Sequence, residues 1–313
     1  MASRAHRGAA GLMLAGLLGL AACGASPEAE APALTADQAL IAGVEGPLAL
    51  SRWTPDGPPR AVLLALHGYG EYAPTAFEEA ATSWAEGGVL VYAYDQRGFG
   101  RNPSNRRWAG AEAMIADAAA AAADAAGRHP DLPLFVAGVS MGGAVALSAA
   151  GEDRLPPATR GLILLAPALW GGDSLSPLYR ASAWLAAKLT PDTRFSARSS
   201  PVRIRPTDNW DMLRRVSADP LRFANPSPRE FQGLIRLMDR AVEAAPTARL
   251  DTLTVIGEKD EVIPPQSVRA AHDRLPEPKT FAYVPTAWHM LLRDLEAETV
   301  HDLVLNWMLE RAE

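Results

Sequence analysis

At 313 residues the chain is long enough for one large domain, or a domain carrying an insertion, with ample length to bury a core. Its 48% hydrophobic and 21% charged residues are those of an ordinary soluble globular protein. The net charge of −6, with scattered arginines and no dense run of Lys and Arg, excludes nucleic acid as a partner.

The first residues follow a separate logic. Arg4 and Arg7 make a positive start, and Gly11 to Ala22 is an unbroken run of apolar and small residues. That run is too short to span a bilayer as a stable helix but suits the core of a signal peptide. It ends in Leu20-Ala21-Ala22-Cys23, and Cys23 is the only cysteine, which excludes an internal disulfide framework. The segment resembles a bacterial lipoprotein signal. The resemblance implies a signal peptide over residues 1–22, cleavage before Cys23, and acylation of Cys23 to hold the protein on a membrane of the cell envelope. Each buried CH₂ of such chains contributes ~0.8 kcal/mol, so more than one chain is needed for stable anchoring. Gly24, where Asp would favour the inner membrane, implies the outer one. Two other readings stay open: a plain secretory signal with Cys23 incidental, and a retained membrane anchor. Residues 23–46 are rich in Ala, Pro and Glu and read as a flexible tether, with Leu34 to Ile41 as a short helix docking on the domain.

From Leu48 the chain alternates strands and helices. Leu48 to Trp53 and Ala61 to Leu66 read as strands joined by the Pro/Gly turn Pro55 to Pro59. Thr75 to Glu86 has helical periodicity and is stopped by Gly87-Gly88; Val89 to Tyr94 is a strand ending in Asp95. Gly110 to Gly127 is an alanine-rich helix, followed by the strand Leu134 to Ala137, a small-residue helix from Gly143, and the strand Gly161 to Ala166. Thr252 to Ile256 and Thr280 to Val284 are strands flanking the helix Pro265 to Arg274. Glu298 to Arg311 closes the chain as a helix with an apolar face at Val300, Leu303, Val304, Trp307 and Met308. This alternation predicts an α/β fold: a mostly parallel sheet with helices on both faces.

One segment breaks the rhythm. Between Ala166 and the helix near Arg229 the chain shows no clear strand, and a structureless loop of that length does not suit a compact domain. Pro177 to Leu189 and Trp210 to Val216 have helical patterns, so residues 168–227 read as an inserted helical cap between core portions 47–167 and 228–313. Trp170, Trp184 and Trp210 either line an acyl pocket there or pack the cap onto the core.

The chemistry centres on Gly138-Val139-Ser140-Met141-Gly142, a G-x-S-x-G turn between a strand and a helix. Such a turn sets a serine hydroxyl clear at the top of a sheet. A serine is a poor nucleophile until a base takes its proton and an acid orients that base. In this arrangement the partners follow in the order acid, then histidine. Asp260, just beyond the strand ending at Ile256, and His289, after the last strand, satisfy that order; Glu258 and Glu261 are weaker rivals for the acid. Of the remaining histidines, His6 lies in the signal, His129, His272 and His301 read as solvated on or beside helices, and His67 precedes the serine. The loop His67-Gly68-Tyr69-Gly70-Glu71 follows a strand and is placed to supply the N–H of Tyr69 to an oxyanion hole, with the N–H of Met141 as its second donor. The same loop matches G-x-G-x-x-A, a dinucleotide fingerprint, but Pro74 follows at once and that reading leaves Ser140, Asp260 and His289 unexplained. No metal-ligand spacing and no cofactor motif otherwise occurs.

These pieces, with Asp95-Gln96-Arg97-Gly98-Phe99-Gly100, Asp219-Pro220-Leu221 and Trp288-His289, resemble the α/β-hydrolases of the monoacylglycerol lipase and lysophospholipase group. The resemblance runs from about Pro47 to the end. It implies a serine ester hydrolase acting on a small-molecule acyl ester such as a monoacylglycerol or lysophospholipid, without a cofactor. Acyl transfer or thioester hydrolysis by the same residues, and a non-catalytic binding role for the fold, are the alternatives. Tyr72 and Phe99 stand where the group usually has His, which implies a different entrance to the site.

Overall fold

The computed structural model describes residues 39–103, 105–170, 177–194, 204–223 and 225–313. The expected signal peptide and Cys23 lie outside these residues, as does most of the expected tether. Among the described residues, no helix is long and apolar enough to cross a membrane.

The core is an eight-stranded sheet in the order β1-β2-β4-β3-β5-β6-β7-β8. The strands are β1 (Leu40–Ile41), β2 (Leu48–Trp53), β3 (Ala61–Leu66), β4 (Val89–Tyr94), β5 (Leu134–Val139), β6 (Thr159–Leu165), β7 (Asp251–Gly257) and β8 (Lys279–Val284). From β4 to β8 all neighbours are parallel, while β2 runs antiparallel to β4 and β1 to β2. β3, β4 and β5 are apolar along their whole length and buried at every position, because helices cover both faces of a parallel sheet. The turn Pro55 to Pro59 does not make a hairpin: β4 lies between β2 and β3.

The helices are α1 (Ala73–Glu86), α2 (Ala111–Arg128), α3 (Met141–Gly151), α4 (Pro177–Leu189), α5 (Trp210–Ser217), α6 (Pro228–Ala244), α7 (Pro265–Asp273) and α8 (Glu298–Ala312). α3 is small and apolar all round, so it is buried from Met141 to Ala150 between the sheet and its helical neighbours. α6 starts on a capping box, in which Ser227 accepts from the Glu230 N–H and Glu230 accepts from the Ser227 N–H. The region read as a cap contains α4 and α5 among its described residues.

Two expectations near the N-terminus need correction. Leu40–Ile41 is a strand on the edge of the sheet, not the end of a helix, and residues from Leu40 onward are docked rather than tethered. Ile41 is buried, Ala42 N–H donates to Asp124 and Val44 N–H donates to Asp117.

After β3 the chain adds β4 on one side of it and then crosses to add β5 on the other. The carboxyl ends of β3 and β5 therefore flank a topological switch point, the crevice where open α/β sheets bind ligands. His67 follows β3 there, and Ser140 follows β5.

Candidate active site

Ser140 sits at φ +52°, ψ −115°, a left-handed conformation that a non-glycine residue adopts only when its surroundings dictate it. They do so here. Its N–H donates to the Leu165 carbonyl at 3.0 Å, and its own carbonyl accepts from the N–H groups of Ala144 at 3.2 Å and Ala168 at 2.9 Å. The flanking glycines are required by space. A Cβ on Gly138 would strike the backbone of Gly142, and one on Gly142 would strike the backbone of Leu66 and His67. The turn is that tight because α3 leaves directly from the end of β5.

Asp260 and His289, the expected acid and base, arrive from the ends of β7 and β8, beyond β6. Asp260 lies past β7 with its side chain fully buried; one carboxylate oxygen accepts the N–H groups of Val262 and Ile263, both at 2.8 Å. The other oxygen accepts from His289 Nδ1 at 2.8 Å. His289 Nε2 is 3.1 Å from Ser140 Oγ. With Nδ1 donating to the carboxylate, Nε2 is left as the acceptor facing the hydroxyl. Burial alone would push the imidazole pKa down, but the Asp260 charge and hydrogen bond outweigh it, helped by Glu71, and the pKa lies above the ordinary value. Glu258 and Glu261, the rival acids, are both exposed, and Glu261 accepts from the Arg205 N–H. The structure thus brings Ser140, Asp260 and His289 together at one rim.

The loop after β3 lies against the serine: a Cβ on Gly68 would stand 3.5 Å from Ser140 Cβ. Buried His67 shapes this loop. Its Nε2 accepts the Gln96 N–H at 2.8 Å, so Nδ1 carries the proton and donates to the Gly68 carbonyl at 2.7 Å. Burial also lowers its pKa, which keeps the ring neutral. Because a trans peptide is planar, fixing the Gly68 carbonyl fixes the Tyr69 N–H in the opposite direction.

Sequence reasoning missed a set of charged side chains behind the loop. Buried Glu71 accepts from Arg293 Nη2 at 2.7 Å, and Arg222 Nε lies 3.7 Å from the same oxygen. Burial would push the Glu71 pKa up, yet Arg293 and Arg222 together hold it below the usual range. Asp294, also buried, accepts the Trp288 N–H at 2.7 Å and the Thr207 hydroxyl at 2.6 Å, which ties down the segment carrying His289. Local periodicity carries no signal for such pairs, whose members are far apart in the chain.

The family model described as "Serine aminopeptidase, S33" matches residues 57–296. A monoacylglycerol lipase of Mycolicibacterium smegmatis is 30% identical over 260 residues, covering 82% of this chain and 91% of that protein. The chain belongs to the α/β-hydrolases, in the monoacylglycerol lipase-like group. The monoglyceride lipase of Rattus norvegicus is 26% identical over 252 residues, covering 79% of this chain and 81% of that one. Among solved structures, the Paleococcus ferrophilus monoacylglycerol lipase superposes with a TM-score of 0.70 at 23% identity, covering 84% of this chain and 99% of that one. A soluble variant of the Saccharomyces cerevisiae monoglyceride lipase with a substrate analog gives 0.73 at 18% identity, covering 92% and 98%.

Within this α/β-hydrolase the remaining expectations resolve individually. Asp95, at the end of β4, accepts from the Ala73 N–H and from Arg101 and so is part of the scaffold. His272 and His301 are buried rather than solvated: His272 meets the Thr254 hydroxyl and His301 the Leu292 carbonyl. Trp170 packs against the core. Trp184 and Trp210 remain half exposed; Trp184 lines a surface groove with Trp108, Lys188 and Arg229, and Trp210 lies 5.3 Å from the Arg205 guanidinium. No member of the Ser140–His289–Asp260 set lines that groove. Phe99 is buried in an aromatic cluster with His67, Tyr69 and Phe223.

Proposed function

We propose that this α/β-hydrolase is a serine ester hydrolase acting on small acyl esters of the monoacylglycerol or lysophospholipid kind. The observation that carries the reading is the continuous hydrogen-bonded line from Ser140 Oγ through His289 to Asp260, at 3.1 and 2.8 Å, on a strained elbow at the carboxyl rim. The names of the relatives, monoacylglycerol lipase and monoglyceride lipase, support the substrate class.

In this reading Ser140 Oγ attacks the ester carbonyl carbon as its proton passes to His289 Nε2. Asp260 orients the ring and stabilises its imidazolium form. The carbonyl oxygen becomes an oxyanion that accepts from the N–H groups of Tyr69 and Met141. Collapse breaks the bond to the alcohol, which leaves with the proton from His289 and leaves an acyl group on Ser140. Water, deprotonated by the same imidazole, then attacks the acyl-enzyme; the acid departs and Ser140 regains its proton. We also propose that the mature chain is held on an envelope membrane by acylated Cys23, which would keep it beside lipid-derived esters.

A p-nitrophenyl ester chain-length series, run beside monoacylglycerol and lysophospholipid, tests the reading. Release of free fatty acid from one of the two lipids is expected. Acyl transfer to added glycerol in place of release would make the protein a transferase, and no turnover of any ester would return it to a binding role.

A further inference from the structure

The loop carrying Tyr69 is gripped from outside the core. Gly70, at φ +73°, places no side-chain restriction on its own backbone, and residues 70–72 lie beyond the end of β3 with no strand ladder to hold them. Arg293 holds Glu71 and the first turn of α1 holds the main chain of Tyr72, whose N–H donates to the Thr75 hydroxyl at 3.3 Å; two further bonds come from the turn after α5. The Phe223 N–H donates to the Gly70 carbonyl at 2.9 Å, and the Tyr72 hydroxyl donates to Asp219 Oδ2 at 2.6 Å. Arg222, between them, reaches toward buried Glu71. The turn is itself well made: Asp219 Oδ1 accepts the Leu221 N–H at 2.9 Å, and the Phe223 ring stacks on Phe99 at 5.5 Å. Burial and the bond to Asp219 push the Tyr72 pKa up, so its hydroxyl stays a donor.

We propose that the turn Asp219–Phe223 is a clasp that holds loop 67–72 in register with Ser140, and that Tyr72 and Asp219 are positioning residues for the oxyanion donor Tyr69 N–H. His67 fixes the near end of the loop from within the core, while at the far end the clasp adds a hold from the inserted segment to those of α1 and Arg293. Transition-state stabilisation is then conditional on the seating of that segment. The phenol at position 72 is the piece that makes the link to Asp219. The proposal rests on the ester-hydrolase reading.

A misaligned oxyanion donor weakens the transition state and leaves ground-state binding alone. The test therefore compares wild type, Tyr72→Phe, Asp219→Ala and the double variant on p-nitrophenyl butyrate. The readouts are kcat, KM, Tm and the Ki of an alkyl trifluoromethyl ketone, which binds as an oxyanionic adduct of the serine. Each single variant is expected to lose roughly tenfold in kcat with KM changed by less than about twofold, and the double variant to lose no more than the worse single one. The ketone Ki should rise by the factor that kcat/KM falls. Tyr72→Phe at wild-type kcat and Ki overturns the clasp, as does a loss confined to KM. A lowered Tm with unchanged Ki makes the bond merely structural and overturns it too. Tyr72→Phe removes one oxygen and keeps the ring, so it decides the matter even if Asp219→Ala does not fold. Wild type that neither hydrolyses the ester nor binds the ketone defeats the ester-hydrolase reading itself, a result distinct from any ratio between variants.

Discussion

The carboxyl rim of the sheet and the segment inserted between β6 and α6 are held by different forces. At the rim, Ser140, Asp260 and His289 follow the ends of paired strands, of which β5 is buried throughout and β7 at all but its first residue. The described part of the insertion is held by polar side chains, Arg194 on Glu230, Thr207 on Asp294 and Tyr72 on Asp219, together with a few buried apolar ones such as Phe223 and Met212. It leaves Leu178, Trp184, Leu185, Leu189 and Trp210 half exposed or more. The difference teaches where rigidity is spent. Chemistry needs atoms fixed to within a fraction of an ångström, which packed strands supply, whereas a segment tied on by side chains can open locally without disturbing them.

The rim is where substitutions should cost most. Ser140→Ala is expected to lower kcat by about 10⁶ with an unchanged Tm; esterase activity within tenfold of wild type would mean that the rim does not carry the reaction. Asp260→Asn should lower kcat by about 10⁴, since the amide no longer holds His289 in the tautomer that faces the serine.

The pH profile separates the two regions further. His289 acts as a base only when neutral, and its pKa is raised, so kcat/KM should fall tenfold per unit of acid below a midpoint above the ordinary imidazole value of about 6.5. In Asp260→Asn the carboxylate that raises that pKa is gone, and the midpoint should move to lower pH. A midpoint that stays put in the variant would detach the pair. The smallest effect is expected on the insertion's outer face. Leu189, 72% exposed at the end of α4, should accept Lys with a stability change within about 0.5 kcal/mol by urea denaturation and no loss of short-ester turnover. A larger cost would show that this face is packed as the core is.

The same contrast decided what could be read from the sequence. The elbow was legible because steric necessity wrote it: Gly138 and Gly142 stand where backbone passes too close for any side chain. Asp260 and His289 were legible from their order and from their places after strands. Separating Asp260 from Glu258 and Glu261 needed the fold, which buries one carboxylate and leaves the others in water. His301 carried a signal that went unused: it lies three and seven residues before Val304 and Met308, on the buried face of α8. Strand β1 is too short for any periodicity to mark it, and strand order leaves no local trace. Glu71 with Arg293, Asp294 with Thr207 and Tyr72 with Asp219 join residues that meet only after folding, so their pairing was not there to read.

The central claim, that Ser140 is the nucleophile driven by His289 and Asp260, is tested most directly by labelling the protein with a fluorophosphonate and mapping the adduct by mass spectrometry. The account predicts one adduct, on Ser140, formed at a rate that falls with acid along the kcat/KM profile and lost in His289→Ala. An adduct on another residue, or labelling of Ser140 that is unchanged without the imidazole, would contradict it.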